Sequence, residues 1–243
     1  MSEIILIQPQ LAYIMGFSPT IVFIMVATGL ASWWVSSTLK RRFHEYSEIP
    51  IRFTGAQIAE TMLRENGIND VRVISTPGKL TDHYDPTTKT VNLSESVYSM
   101  NNIAAAAVAA HECGHAIQHA KAYAWLTMRS KMVPAVQLAS QGLNLFLMVS
   151  LFGSAFFKNP LMLYIWIALY AVTTLFSVVT LPVEFDASKR ALVWLQGSGV
   201  SSSMDQEKAK NALFWAAMTY VVAAISSVAT LIYYISMLLG RRD

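Results

Sequence analysis

The sequence predicts an α-helical multi-pass membrane protein of about four spans with one small α+β domain set between them. Three observations predict it. The chain has 243 residues, 54% of them hydrophobic and only 14% charged, where a soluble domain carries nearer a quarter charged. The apolar residues fall in blocks long enough to cross a bilayer. Most of the charge is gathered into one intervening stretch, residues 43–132.

From Ile4 to Leu39 no residue is charged. No basic segment precedes this run and it ends too late for a cleaved signal peptide. We place the first span at 18–39, with Trp33 and Trp34 near its interfacial end and Lys40-Arg41-Arg42 as its stop. Pro9 to Gly16 is expected on the membrane surface. Domain boundaries follow: 1–39, an N-terminal segment and first span; 40–132, the α+β domain; 133–181, two spans; 182–211, a further extramembrane segment; and 212–243, the last span and tail.

Within 40–132, Phe53-Thr54-Gly55 opens an amphipathic helix with Ile58, Met62 and Leu63 on one face, stopping near Asn66-Gly67. Val71 to Ile74 alternates like a strand, and Pro77-Gly78 turns it. Asp82 to Leu93 reads as a hairpin with its turn at Asp85 to Lys89. Residues 94–102 are polar and hold a short helical turn. Ala104 to Ala110 has high helix propensity and leads into His111-Glu112-Cys113-Gly114-His115.

That last stretch reads H-E-x-x-H. Four residues apart on a helix, His111 and His115 share one face. Two neutral imidazoles so placed hold a Zn²⁺ ion about 2.0–2.1 Å from each nitrogen. Glu112 lies beside the metal and takes a proton from the attacking water, the general-base role in metalloproteases. This pattern makes the α+β domain zincin-like. Cys113, the single cysteine, faces away from the histidines as a small packing residue, and its solitude excludes an intrachain disulfide.

Pro134 is expected to start the second span, to about Phe157. Gln137, Ser140, Gln141 and Asn144 form one polar helical stripe in it, which should face protein or a cavity rather than acyl chains, bonding to a neighbouring helix in preference to contacting substrate. Lys158-Asn159-Pro160 is a tight loop. Leu161 to Leu181 is the third span, closed by Pro182, and Ala212 to Gly240 is the fourth after a mobile Gly- and Ser-rich loop at 196–206.

Between the last two spans lie Glu184 and Asp186. Glu184 is the expected third ligand, leaving one coordination position for water. Asp186 is expected to orient a ligating histidine. A donor for the oxyanion is also required; His83, Tyr84 and Arg190 are the candidates. His119, two turns beyond His111, is expected near the site without touching the metal. Thr90, Val91, Asn92 and Leu93 are expected to bind an extended substrate by strand addition.

The loops after spans one and three hold fifteen of the eighteen Lys and Arg residues, and the opposite side three. This bias places the catalytic side in the cytoplasm. The net charge of +3, with no basic run interleaved with aromatics, argues against a nucleic-acid partner. The partners expected are the bilayer and protein or peptide substrates, membrane proteins among them; oligomeric state is open.

The chain resembles the YugP-type neutral zinc metallopeptidases of bacterial membranes. The resemblance is carried by Phe53-Thr54-Gly55-Ala56, Asp82-His83-Tyr84-Asp85-Pro86, Leu93 to Tyr98, His111 to His119 and Leu181 to Ser188. It implies a membrane-embedded peptidase with one Zn²⁺ per chain and leaves the substrate undefined. A wider similarity is to the HtpX heat-shock and CAAX prenyl-protein proteases, which also separate H-E-x-x-H from a glutamate by two spans. Their glutamate motif is E-x-x-x-D; here the fourth position is Ser188, so prenyl specificity does not carry over. A site-2-type intramembrane protease is disfavoured, because only about eight apolar residues precede His111, too few to reach mid-bilayer. A non-catalytic zinc scaffold or chaperone is the other alternative, and Glu112→Gln separates it from an enzyme.

Overall fold

The computed structural model describes residues 18–150, 160–200 and 203–240. The chain is mostly helical, with a small three-stranded sheet. The helices are α1 (Pro19–Ser47), α2 (Gly55–Glu65), α3 (Glu95–Ser99), α4 (Ile103–Ala120), α5 (Ala124–Ser150), α6 (Pro160–Gly197) and α7 (Ser203–Leu239). The strands are β1 (Arg72–Thr76), β2 (His83–Asp85) and β3 (Thr90–Ser94). Four helices are long and apolar enough to cross a membrane, over Pro19–Ser47, Ala124–Val149, Pro160–Gly197 and Asp205–Leu239. The segment around Pro9 to Gly16, Lys158-Asn159 and part of the Gly- and Ser-rich stretch lie outside the described residues.

Contacts divide the chain into two units. One comprises Val35–Ser130 and Thr180–Thr219. In it, α2 begins with a reciprocal cap: Gln57 N donates to Thr54 Oγ1, and Thr54 N donates to Gln57 Oε1. Each orphan donor of the first turn that such a pair satisfies stabilises the helix by about 1 kcal/mol. It ends at Asn66, with Gly67 at φ +72, a left-handed backbone that glycine adopts without strain. Ile58, Met62 and Leu63 are buried by the face the periodicity defines, each worth about 1.5–3 kcal/mol. They pack with the alanines of α4, where Ala107, Ala109 and Ala110 are fully buried. Asn102 caps α4, its Oδ1 accepting from Ala105 N at 2.8 Å.

The hairpin forms as expected, β2 antiparallel to β3, with the Asp85 carboxylate accepting from Thr87 N and Thr88 Oγ1 across the turn. β1 pairs parallel to the other side of β3, giving the order β1-β3-β2. This corrects the expectation for Thr90, Val91, Asn92 and Leu93. Thr90 to Asn92 are paired on both edges, Leu93 is paired with β1, and all are buried, so this strand is the centre of the sheet rather than a free edge for a substrate strand.

The helix limits also differ from expectation. α1 runs through Lys40-Arg41-Arg42 to Ser47, where buried Tyr46 bonds through its hydroxyl to Asn211 Oδ1 at 3.0 Å. Pro134 lies inside α5, ten residues after its start, because Ala124 to Met132 is itself built of good helix formers. Pro182 does not close a helix. α6 runs through it, giving up one backbone bond. Beyond it Val183, Ala187, Ala191 and Leu195 recur at every fourth position and are buried, so packing outweighs the lost bond. α7 starts before Ala212, with Asp205 in its first turn.

The other unit comprises Met1–Trp34, Lys131–Val179 and Tyr220–Asp243, and its described parts are helical. Ser18 Oγ bonds Tyr233 OH at 2.8 Å. Trp166 on α6 meets the rings of Phe146, Tyr170 and Tyr234. Much of the outward surface is apolar, with Phe23, Trp33 and Leu30 largely exposed, as lipid contact requires. Gln137, Gln141 and Asn144 are exposed too; the interhelical bonds expected of them are not made within the described chain.

Candidate metal centre

Two helices build the site. α4 supplies His111 and His115, one turn apart, with ring centroids 4.8 Å apart and set edge to face. α6 supplies Glu184, 2% exposed. The helices touch at Gly114 and Ala187: a Cβ on Gly114 would stand 2.6 Å from Ala187 O. Any side chain there would push the backbones apart, so this glycine is what lets Glu184 reach the histidines.

Glu184 Oε2 lies 3.3 Å from His111 Nε2 and 3.7 Å from His115 Nε2. It is fully buried and has no hydrogen bond of good geometry. One ligand atom from each of the three residues lies within 4.8 Å of the others. Two atoms each about 2.0–2.1 Å from a tetrahedral zinc stand about 3.3 Å apart. The residues therefore fit a divalent cation: three lone-pair atoms converge, and the buried carboxylate oxygen lacks any other hydrogen-bond partner.

The groups behind the ligands orient both rings, and one of them fixes a tautomer. Gln118, fully buried, donates from Nε2 to Val183 O and to Asp186 Oδ2, both at 2.8 Å. Its amide orientation is thereby set, and Oε1 must face His115 Nδ1, 3.0 Å away. His115 Nδ1 then carries the proton and Nε2 presents its lone pair towards Glu184. His111 Nδ1 lies 3.1 Å from Ser188 Oγ, so a hydroxyl rather than a carboxylate stands behind this ligand. Burial disfavours charge on His115, but the Glu184 and Glu112 carboxylates, with Gln118 Oε1, outweigh it and hold its pKa above the ordinary 6.5.

Asp186 therefore reaches the site through Gln118 rather than by touching a histidine. It also takes Arg190, Nε to Oδ2 at 2.6 Å, and Arg190 lies over the Tyr123 ring. Tyr84 OH bonds His119 Nδ1 at 2.9 Å. His83 is exposed and bonds Thr81 O through Nδ1. None of His83, Tyr84, Arg190 and His119 has a hydrogen bond or ion pair with His111, His115 or Glu184 among the described residues. Glu112 is buried beside the histidines on α4. Cys113 faces α2, donating to Ala59 O, and burial pushes its thiol pKa well up, in keeping with a packing role.

Three residues escape the sequence reading. Gln118 carried a signal, three residues after His115 on a helix and so on its face. Ser188 did too, at the position of the aspartate in E-x-x-x-D. Arg129, whose Nη1 lies 3.6 Å from Glu184 Oε1, carried none beyond a charge near the start of an apolar run.

The profile of the family described as "Putative neutral zinc metallopeptidase" matches residues 20–239. "Putative membrane protease YugP" of Bacillus subtilis (strain 168) is 38% identical over 224 residues, covering 91% of this chain and 98% of that protein. No solved structure matches the chain. A match over nearly the whole length, together with the His111, His115 and Glu184 group, leads to one conclusion: this chain belongs to the neutral zinc metallopeptidase family and is a membrane protein.

Proposed function

We propose that the protein is a gluzincin-like zinc endopeptidase that hydrolyses protein substrates at the cytoplasmic face of a bacterial inner membrane. The observation that carries this is Glu184 Oε2, buried without a hydrogen bond between two histidine Nε2 atoms. His111, His115 and Glu184 hold one Zn²⁺ per chain. Bound there, the ion supplies Lewis-acid polarisation of the scissile carbonyl and lowers the pKa of the attacking water.

The chain's own residues do the rest. Glu112 accepts the proton of the water as its oxygen bonds to the carbonyl carbon. The carbonyl electron pair moves onto oxygen. Glu112 then returns the proton to the amide nitrogen as the C–N bond breaks. Gln118 keeps the His115 ring in the Nδ1–H tautomer, and Ser188 orients the His111 ring. A small sheet beside the histidine-bearing helix supports the zincin-like reading. β3 being central, an extended substrate would pair along the outer edge of β2, whose Tyr84 is tied to His119 of α4.

The clustering of Lys and Arg around this unit supports its placement in the cytoplasm. Processing or quality control of membrane proteins suits a peptidase tethered there. The 18-residue α4 is not among the four candidate spans, which disfavours a site-2-type reading.

The test is metal content and turnover of detergent-purified protein. Wild type should carry about one zinc per chain and cleave a quenched-fluorescence peptide library. Glu184→Ala should lose the metal. Glu112→Gln should keep the metal and lose turnover. Full zinc in Glu184→Ala would remove Glu184 from the site, and undiminished function in Glu112→Gln would favour a scaffold.

A further inference from the structure

Helix α5 carries three carboxamides within its apolar stretch, Gln137, Gln141 and Asn144. At 3.6 residues per turn they fall within an arc of about 60°. Ala139, Gly142 and Phe146 lie about 180° away on the same helix, and these are the residues that pack. Ala139 is 2% exposed, a Cβ on Gly142 would meet Leu169 Cδ1 at 2.8 Å, and the Phe146 ring stands 5.9 Å from that of Trp166. The polar stripe thus faces directly away from α6. All three amides are exposed, and they make no side-chain hydrogen bond among the described residues. Acyl chains offer them neither donor nor acceptor, so polar groups at this depth call for a protein neighbour.

We propose that this stripe is the seam of a homodimer, covered by α5 of a second copy. Copies inserted in one orientation relate by a two-fold axis along the membrane normal, which sets each residue opposite itself at its own depth. A carboxamide both donates and accepts, so Gln137, Gln141 and Asn144 can each pair with their own counterpart. A charged stripe would repel its copy. Steps of four and three residues keep the seam facing one partner along the helix, as in a coiled coil. Leu138, Leu145 and Met148 flank the amides, 70%, 63% and 59% exposed, and supply the apolar remainder of the contact. A foreign helix would need matching amides at matching depths; a second copy has them by symmetry.

The experiment uses the full chain in its native membranes. Gln141→Cys, treated with copper phenanthroline, should give a disulfide-linked dimer on a non-reducing gel. Ala139→Cys, on the packed face, should give at least tenfold less. The native Cys113 is buried and adds no background. In lipid nanodiscs, native mass spectrometry should find wild type at twice the chain mass. The variant carrying Gln137→Leu, Gln141→Leu and Asn144→Leu should be found at the chain mass with its zinc retained. Should the triple variant fail to fold, the cysteine pair still decides. Dimer from Gln141→Cys no greater than from Ala139→Cys, a single-chain mass for wild type, or linkage of the Gln141→Cys variant only to a different protein would each overturn the proposal.

Discussion

Gln118 Oε1 stands 3.0 Å from His115 Nδ1, and its own amide protons are committed to Val183 O and Asp186 Oδ2. One buried side chain thus ties a ligand on α4 to the helix that brings the carboxylate. Gln118→Leu should weaken zinc binding about 10–100-fold, as loss of a group orienting a ligating histidine does. It should also destabilise the fold by about 1–3 kcal/mol, because Val183 O loses a buried donor. Chelator competition and thermal unfolding read the two effects separately.

Gly114→Ala tests the helix crossing. The added carbon meets backbone, Ala187 O at 2.6 Å, which cannot swing aside as a side chain can. Overpacking of this kind destabilises by about 1–3 kcal/mol. The expected result is a lower Tm together with zinc loss, since separating the helices draws Glu184 from His111 and His115. Zinc content equal to wild type would mean the crossing relaxes without disturbing the site.

Arg129 sits 3.6 Å from Glu184 Oε1 with its side chain 30% exposed. That leaves Oε2 to face the histidines. The Glu184 side chain is only 3% exposed, but solvent reaches the Arg129 end and screens the pair, so Arg129→Ala should weaken zinc binding about fivefold at most and leave the fold intact. A competition titration against a fluorescent chelator measures it; a hundredfold loss would show Arg129 to be far more tightly coupled to the ligand than its exposure allows.

The raised pKa of His115 gives the metal-free protein a pH signature. A group whose folded pKa lies above its unfolded value of 6.5 adds stability that is fully present below that value. The stability is lost as pH rises through the folded pKa. Metal competes with the same proton, so zinc should raise Tm more as pH increases. Thermal melts with and without zinc from about pH 5 to pH 8 should diverge upward. Curves that stay parallel would mean that His115 does not titrate in this window.

Much of the site was legible because it is local. The spacing of His111 and His115 on one helix follows from 3.6 residues per turn, and Ala104 to Ala110 make that helix. The lengths of the apolar runs indicate four spans, and Thr54 with Gln57, and Asn66 with Gly67, mark the ends of α2. Two acids beyond a span pointed to Glu184. Proline misleads in the same local way: Pro134 and Pro182 signal boundaries, yet both lie inside helices.

What tertiary structure alone decided is non-local. The approach of Glu184 to His111 and His115 depends on two backbones meeting at Gly114 and Ala187, far apart in sequence. Only that meeting selects Gln118 and Ser188 as the groups that orient the ligating rings, and Arg129 as the cation beside Glu184. The parallel pairing of β1 with β3 buries Thr90 to Leu93 in mid-sheet, where a hairpin read from sequence leaves an edge free. Turn signals and periodicity fix conformation over a few residues. Which faces meet is set by the burial of Val183, Ala187, Ala191 and Leu195 along α6, a sum over contacts between distant segments.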